Sequence, residues 1–191
     1  NKQKLFEKKY LDVKIRKTLT DSFIKAKRKI IFLDYDGTLK PFYDEPKHAE
    51  PDKELINLLN GLAGRNGNHV VIVSGRDYKT MDEWFRNINV SLVAEHGIWI
   101  KKRGKKWKIA KKINNGWKTN LLPVLNNYSD LIAGSFTEEK DFSLVWHYRK
   151  TDKIHGEIIA NELTENLIDR TANMNLQVLR GSKVIEVRNA D

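Results

Sequence analysis

Cysteine is absent from the 191 residues, so the chain can form no disulfide, no thiolate nucleophile and no thiolate metal site. That absence suits a reducing compartment, and a cytoplasmic location is expected. No apolar run is long enough to span a bilayer, and no signal-like apolar segment is present, so no membrane partner is expected. Proline occurs four times: Pro41 and Pro46 punctuate a loop, Pro51 opens a helical pattern, and Pro123 lies where a helix should kink. Acidic residues are outnumbered by basic ones, 25 against 35, giving a net charge of +10. Such a surplus fits nucleic acid or a small anionic substrate. The Lys and Arg residues are dispersed, with clusters at 25–29 and 101–112. They lack the interleaved aromatics of a nucleic-acid binder, so no nucleic-acid partner is expected. The second cluster reads as a solvated hairpin tip. The sequence does not begin with Met and reads as a piece of a longer chain.

What is present is organised around one stretch. Ile30-Ile31-Phe32-Leu33 is an apolar run suited to a parallel strand buried on both faces. It ends in Asp34-Tyr35-Asp36-Gly37-Thr38. The tips of such strands are where open α/β sheets place ligands. Asp34, first off the strand, is the candidate nucleophile, since carboxylates form aspartyl-phosphate intermediates. Asp36 can protonate a leaving oxygen and then deprotonate water. Two carboxylates so close repel unless a cation sits between them, and magnesium, Mg2+, is the hard cation that prefers carboxylate and phosphate oxygens. Asp-Gly alone would read as a hairpin turn; the strand before it and the second Asp favour the catalytic reading.

In chain order, residues 1–28 read as an amphipathic helix or linker with Leu5, Leu11, Ile15, Leu19 and Phe23 at near-helical spacing. A helix carrying Leu55, Ile56, Leu58, Leu59 and Leu62 should end at Gly64 and Gly67. Residues 69–73 form a second buried strand ending in Ser74-Gly75-Arg76-Asp77. Ser74 and Gly75 can bind a phosphoryl oxygen; the alternative is an N-cap by Ser74 or Asp77. Arg76 would reach the phosphate or pair with Asp77. Residues 90–94 give a third strand ending in Glu95-His96-Gly97. After residue 98 the pattern becomes hairpin, helix, hairpin, helix, hairpin. The last long helix, residues 155–172, should turn Ile158, Ile159, Leu163 and Leu167 inward. The division expected is a linker at 1–28, a core at 29–100, an inserted α+β layer at 101–188, and a return to the core from 189.

The Asp-x-Asp-Gly-Thr stretch resembles the first motif of the haloacid dehalogenase superfamily of phosphatases. Val73-Ser74-Gly75-Arg76, Ala94-Glu95-His96-Gly97, Glu138-Glu139-Lys140, His147-Tyr148-Arg149 and Glu186-Val187-Arg188 resemble its trehalose-6-phosphate phosphatase branch. The resemblance implies a Rossmann-like α/β core with an inserted α+β cap. It implies hydrolysis of trehalose 6-phosphate, with Asp34 as nucleophile, Asp36 as acid/base, and Mg2+ held by the Asp34 carboxylate and the Asp36 carbonyl. Gly37, Thr38, Ser74, Gly75 and Arg76 would bind phosphate. Glu95, His96, Glu139, Lys140, His147, Arg149 and Glu186 would read the sugar. Residues 1–28 resemble the connector to a trehalose-6-phosphate synthase module, which would be a covalent partner. Other sugar phosphates, of sucrose phosphate or phosphomannose type, and a non-catalytic regulatory module are the alternatives.

The family pattern also has a phosphate-binding Lys and an acidic metal pair, and the sequence ends at Asp191 before either. The piece itself is therefore expected to be inactive and to hold metal weakly. The family's remaining core strand would also lie beyond Asp191. Residues 30–33 should then form an exposed edge.

Overall fold

The computed structural model describes residues 11–110 and 113–190. Leu5 and the first ten residues of the expected helix lie outside the described residues. The helix α1, Val13–Lys25, starts where the Asp12 side chain accepts from the Ile15 N–H, and none of its residues is buried. The strand β1, Lys29–Asp34, follows. The helix α2, Lys53–Gly64, is capped by Asp52, and Leu55, Leu59 and Ala63 are its buried residues. The spacing of these three, near one helical turn, gives the stripe that packs on the sheet, while Leu58 points out at 64% exposure. Then come β2, Asn68–Val73, α3, Tyr78–Phe85, and β3, Ser91–Ala94.

The strands β1, β2 and β3 are parallel, with Asp34 opposite Val73 and Val73 opposite Val93. Consequently the loops that follow all three emerge at one edge of the sheet. The strands β4, Trp99–Lys101, and β5, Trp107–Ile109, extend this sheet antiparallel in the order β1-β2-β3-β4-β5. The hairpin that was expected to open the inserted layer at residue 101 thus belongs to the first sheet. The reason lies in Trp99 and Trp107, which pack on its core through Tyr78, and in Asp82, which accepts from the Lys101 ammonium at 2.5 Å and the Trp107 indole N–H at 2.8 Å.

The expected edge is found: β1 pairs with β2 and lies at the end of the sheet. Burial on both faces is not found. Ile30 and Phe32 are 67% and 68% exposed, while Ile31 and Leu33 are half-buried and Leu33 packs against the first core. This is an α/β protein with a Rossmann-like parallel core.

A second sheet follows, in the order β6-β7-β9-β8. It comprises β6, Phe136–Glu139, β7, Ser143–His147, β8, Leu176–Gly181, and β9, Val184–Asn189, all antiparallel. The helices α4, Lys118–Leu131, and α5, Lys153–Thr171, cover one face. A separate apolar cluster joins them: Leu121, Leu125, Leu144, Trp146, Leu163, Leu167, Ile185 and Val187 among others. Of the four apolar residues expected inward on α5, Leu163 and Leu167 are fully buried and Ile159 partly so. Ile158 is 56% exposed, because it is out of phase with the inward stripe.

Candidate active site

The chain turns sharply after β1. The Tyr35 carbonyl accepts from the Thr38, Leu39 and Lys40 N–H groups, and Gly37, at φ +85°, donates to the Lys40 carbonyl at 2.7 Å. A left-handed residue is needed there, and Phe42 fills the space a Cβ would take. The turn brings the Thr38 hydroxyl back onto the Asp34 carboxylate at 2.8 Å. Tyr35 is fully buried and anchors the turn by donating to the Ala49 carbonyl at 2.5 Å. Burial raises its phenol above the ordinary range.

After β2 the second turn presents Ser74, which is buried and donates to Asp36 at 3.3 Å while accepting from the Arg76 N–H at 3.1 Å. Asp77, not Ser74, caps α3, accepting from Thr80 N–H at 2.9 Å. Arg76 does not pair with Asp77. Its Nε and Nη2 donate to the two oxygens of Asp36 at 3.0 and 2.6 Å. Gly75 lies against His96: a Cβ there would meet the imidazole at 2.7 Å.

A cleft of about 760 Å³ separates this edge from the bare face of the second sheet. Asp36, Gly75, Arg76 and His96 line it from the first sheet; Asp34, Gly37, Thr38 and Ser74 are not among the lining residues. Opposite stand Glu138, Lys140, Val145, His147, Arg149 and Glu186. Strand alternation explains the set. On β7, Leu144 and Trp146 face the helices, which turns Val145 and His147 to the cleft; on β9, Ile185 and Val187 do the same for Val184 and Glu186. The register puts Glu138 and Glu186 on either side of Val145.

Several contacts cross the cleft. Lys140 donates to the Gly75 carbonyl at 3.0 Å, and His96 Nε2 is 3.2 Å from Glu186. Burial would raise the carboxyls of Glu138 and Glu186, but both lie below the usual range. His147 and Lys140 outweigh burial at Glu138, and His96, Lys140 and Ser143 do so at Glu186. Arg149 stacks over Phe42 at 5.7 Å and donates to the Ser182 carbonyl at 2.8 Å.

Two expected sugar-reading residues stand elsewhere. Glu139 faces the helix side, where it pairs with Lys118 at 2.6 Å. Its neighbour Glu138, which a period-two reading of β6 against its helix-facing residues would have selected, bonds His147 at 2.8 Å in the cleft. Glu95 is 2% exposed and does not line the cleft; its carboxylate accepts from the Phe142 N–H at 3.1 Å, tying the first sheet to the β6–β7 turn. Burial pushes it up to about 7. Trp84, Tyr43 and Glu83 line the cleft without having been singled out in the sequence.

The exposed Asp34 carboxylate and the Asp36 carbonyl are hard oxygens of the kind a divalent ion takes. The Asp36 side chain is committed to Arg76. No group of three or more His, Cys, Asp or Glu able to hold a metal occurs among the described residues. The residues therefore fit part of a coordination sphere.

A family model described as Trehalose-phosphatase matches residues 32–190. A bifunctional trehalose-6-phosphate synthase/phosphatase of Thermoproteus tenax is 40% identical over 172 residues, which cover 90% of this chain and 24% of that protein. A trehalose-phosphatase of Saccharomyces cerevisiae is 34% identical over 186 residues, 95% of this chain and 21% of that one. The structure of the C-terminal domain of a Candida albicans trehalose-6-phosphate phosphatase superposes with a TM-score of 0.86 at 32% identity, covering 91% of this chain and 61% of that one. The chain thus spans less than a quarter of the length of these two curated relatives. Among the described residues, no helix is long and apolar enough to cross a membrane.

Proposed function

The chain belongs to the trehalose-phosphatase family, and from that premise we propose that it carries the nucleophile and the sugar-reading face of a trehalose 6-phosphate phosphohydrolase. The family implies a divalent metal; Mg2+ is the ion we propose, with the Asp34 carboxylate and Asp36 carbonyl as this chain's share of its ligands. When bound, the ion neutralises charge on the phosphoryl group.

The observation that carries the reading is the facing of two sets across one cleft. Asp36 lines the cleft just past the tip of β1, where Asp34 is exposed two residues earlier, and Glu138, Lys140, His147, Arg149 and Glu186 project from the opposite sheet. A non-reducing disaccharide offers hydroxyls and no charge beyond its phosphate. Acceptors and donors on a strand face, interleaved with apolar Val145, suit such a ligand. An Asp34 oxygen forms a bond to phosphorus as the ester P–O bond breaks, and the departing sugar oxygen takes a proton from Asp36, which acts in its protonated form with that oxygen released from Arg76. Water then attacks phosphorus, giving its proton back to Asp36, and the Asp34 O–P bond breaks to release inorganic phosphate. The Thr38 hydroxyl holds Asp34 in place, and the Gly75 backbone, which lines the cleft, is offered to the phosphoryl oxygens, while the buried Ser74 hydroxyl is turned to Asp36.

A synthase module on the same polypeptide and a cytoplasmic location complete the reading; bifunctional relatives support the first. The test is Asp34→Asn in the whole protein, which should remove turnover and the acid-labile phosphoenzyme while leaving thermal unfolding in place. Retention of more than about a hundredth of the rate would end the covalent reading.

A further inference from the structure

Each guanidinium nitrogen of Arg76 makes a hydrogen bond. Its Nε and Nη2 grip both oxygens of Asp36 at 3.0 and 2.6 Å, and Nη1 donates to the Pro46 carbonyl at 2.7 Å. The guanidinium plane lies over Trp84, 4.6 Å from the ring centroid, and 5.7 Å from the buried Tyr35 ring. In the backbone, the N–H donates to Ser74 Oγ at 3.1 Å and the carbonyl accepts from the Glu95 N–H at 3.0 Å. The Glu95 turn that supplies that donor is itself in a left-handed conformation, at φ 45°. The side chain is only 13% exposed.

A guanidinium engaged in this way has its Nε–Nη2 fork taken by Asp36 and one Nη1 N–H by Pro46, so two of its five N–H donors remain. A two-pronged contact fixes more than distance: it sets the plane of the carboxylate and therefore its rotamer. Lysine cannot do this, because its ammonium is a point donor. We propose that Arg76 is the positioning residue of Asp36, aiming the acid/base carboxyl from the second loop, with its Nε–Nη2 fork given to Asp36 and not to phosphate. The aromatic bed of Trp84 and Tyr35 and the Pro46 carbonyl keep the fork itself from turning. The role rests on the reading of Asp36 as the acid/base and refines the phosphate-binding role expected for Arg76.

The test uses the whole protein and two substrates. Trehalose 6-phosphate expels an alkoxide and needs a proton donor, whereas 2,4-dinitrophenyl phosphate expels a stable phenolate and forms the phosphoenzyme without one. Arg76→Lys and Arg76→Gln should each lower kcat on the sugar phosphate about 10²-fold, the lower range of general-acid effects, with KM changed less than about threefold. The rate of phosphoenzyme formation from the dinitrophenyl ester, read by rapid quench, should stay within about threefold of wild type. In an Asp36→Ala background, Arg76→Ala should cost nothing further, and removing both partners leaves no unpaired charge that would threaten folding. Full activity in Arg76→Lys would overturn the proposal, because charge without the fork would then suffice. A rise in KM for both substrates at unchanged kcat would overturn it in favour of phosphate binding. An added loss in the Asp36→Ala background would overturn it as well. Failure of the underlying reading is separate: it would appear as an Asp36→Ala protein that still turns over trehalose 6-phosphate at near the wild-type rate, whatever Arg76 does.

Discussion

Glu138 and Glu139 are neighbours in sequence and stand on opposite faces of their strand. Glu138 bonds His147 at 2.8 Å inside the cleft, and Glu139 pairs with Lys118 at 2.6 Å on the helix side. Glu138→Gln should lower kcat/KM for trehalose 6-phosphate by about 1–3 kcal/mol of transition-state stabilisation, the cost of unpairing a buried polar contact. It should spare a small aryl phosphate that cannot span the cleft. Glu139→Gln removes a half-exposed ion pair and should cost less than about 1 kcal/mol in stability, with steady-state rates near wild type. Equal losses in both variants on both substrates would mean the strand face does not read the sugar.

Gly75 allows the His96 ring to lie against the second loop. A Cβ would sit 2.7 Å from the ring, so Gly75→Ala should push His96 off Glu186 and cost about 1–3 kcal/mol, as overpacking does. Adding His96→Ala should recover part of that loss in a thermal melt. Additive losses would show that the loop, not the ring, resents the methyl group.

Glu95 makes stability depend on pH. Its carboxyl has an ordinary value of 4.5 and is raised to about 7 by burial first, then by Asp141 and Asp77 against the opposing pull of Lys140 and the Phe142 N–H. Between those values the unfolded chain releases the proton and the folded chain keeps it. The fold therefore loses stability as pH rises from near 4.5 to near 7, by on the order of 3 kcal/mol. Above that range the loss is complete. Glu95→Gln stays neutral and should show a smaller difference in unfolding free energy between about pH 5 and pH 8 than wild type. An equal difference in the two proteins would remove Glu95 as its source.

The second core predicts a contrast on one helix. Leu163 is fully buried, and Leu163→Ala should cost about 2–5 kcal/mol in urea unfolding. Ile158 is 56% exposed, and Ile158→Ala should stay within about 0.5 kcal/mol. Similar losses would put Ile158 back in the stripe.

Local chemistry was readable from the residue order alone. Apolar runs at periods two and 3.6 gave the strands and helices, and Asp34 and Asp36 at the end of the first run gave the reacting pair. Those features depend on neighbours a few positions away, and the chain's steric rules act at that range. The phase of a pattern was less accessible. Ile158 lies next to Ile159 in sequence, and Glu139 next to Glu138, so only the packing of α5 and α4 decided which side faced in. Membership of a sheet was beyond local reach too: the β4–β5 hairpin joined the first sheet because Asp82, earlier in the chain, holds Lys101 and Trp107. Arg76 shows the limit most sharply. The sequence offered a phosphate or its neighbour Asp77 as the partner, yet Asp36, 40 residues away, holds its fork. The sequence by itself determined the elements and the carboxylates at their tip. The tertiary structure alone decided which charges meet, because an ion pair is chosen by distance in space among many candidates, and the parallel register of β1 on β2 sets that distance.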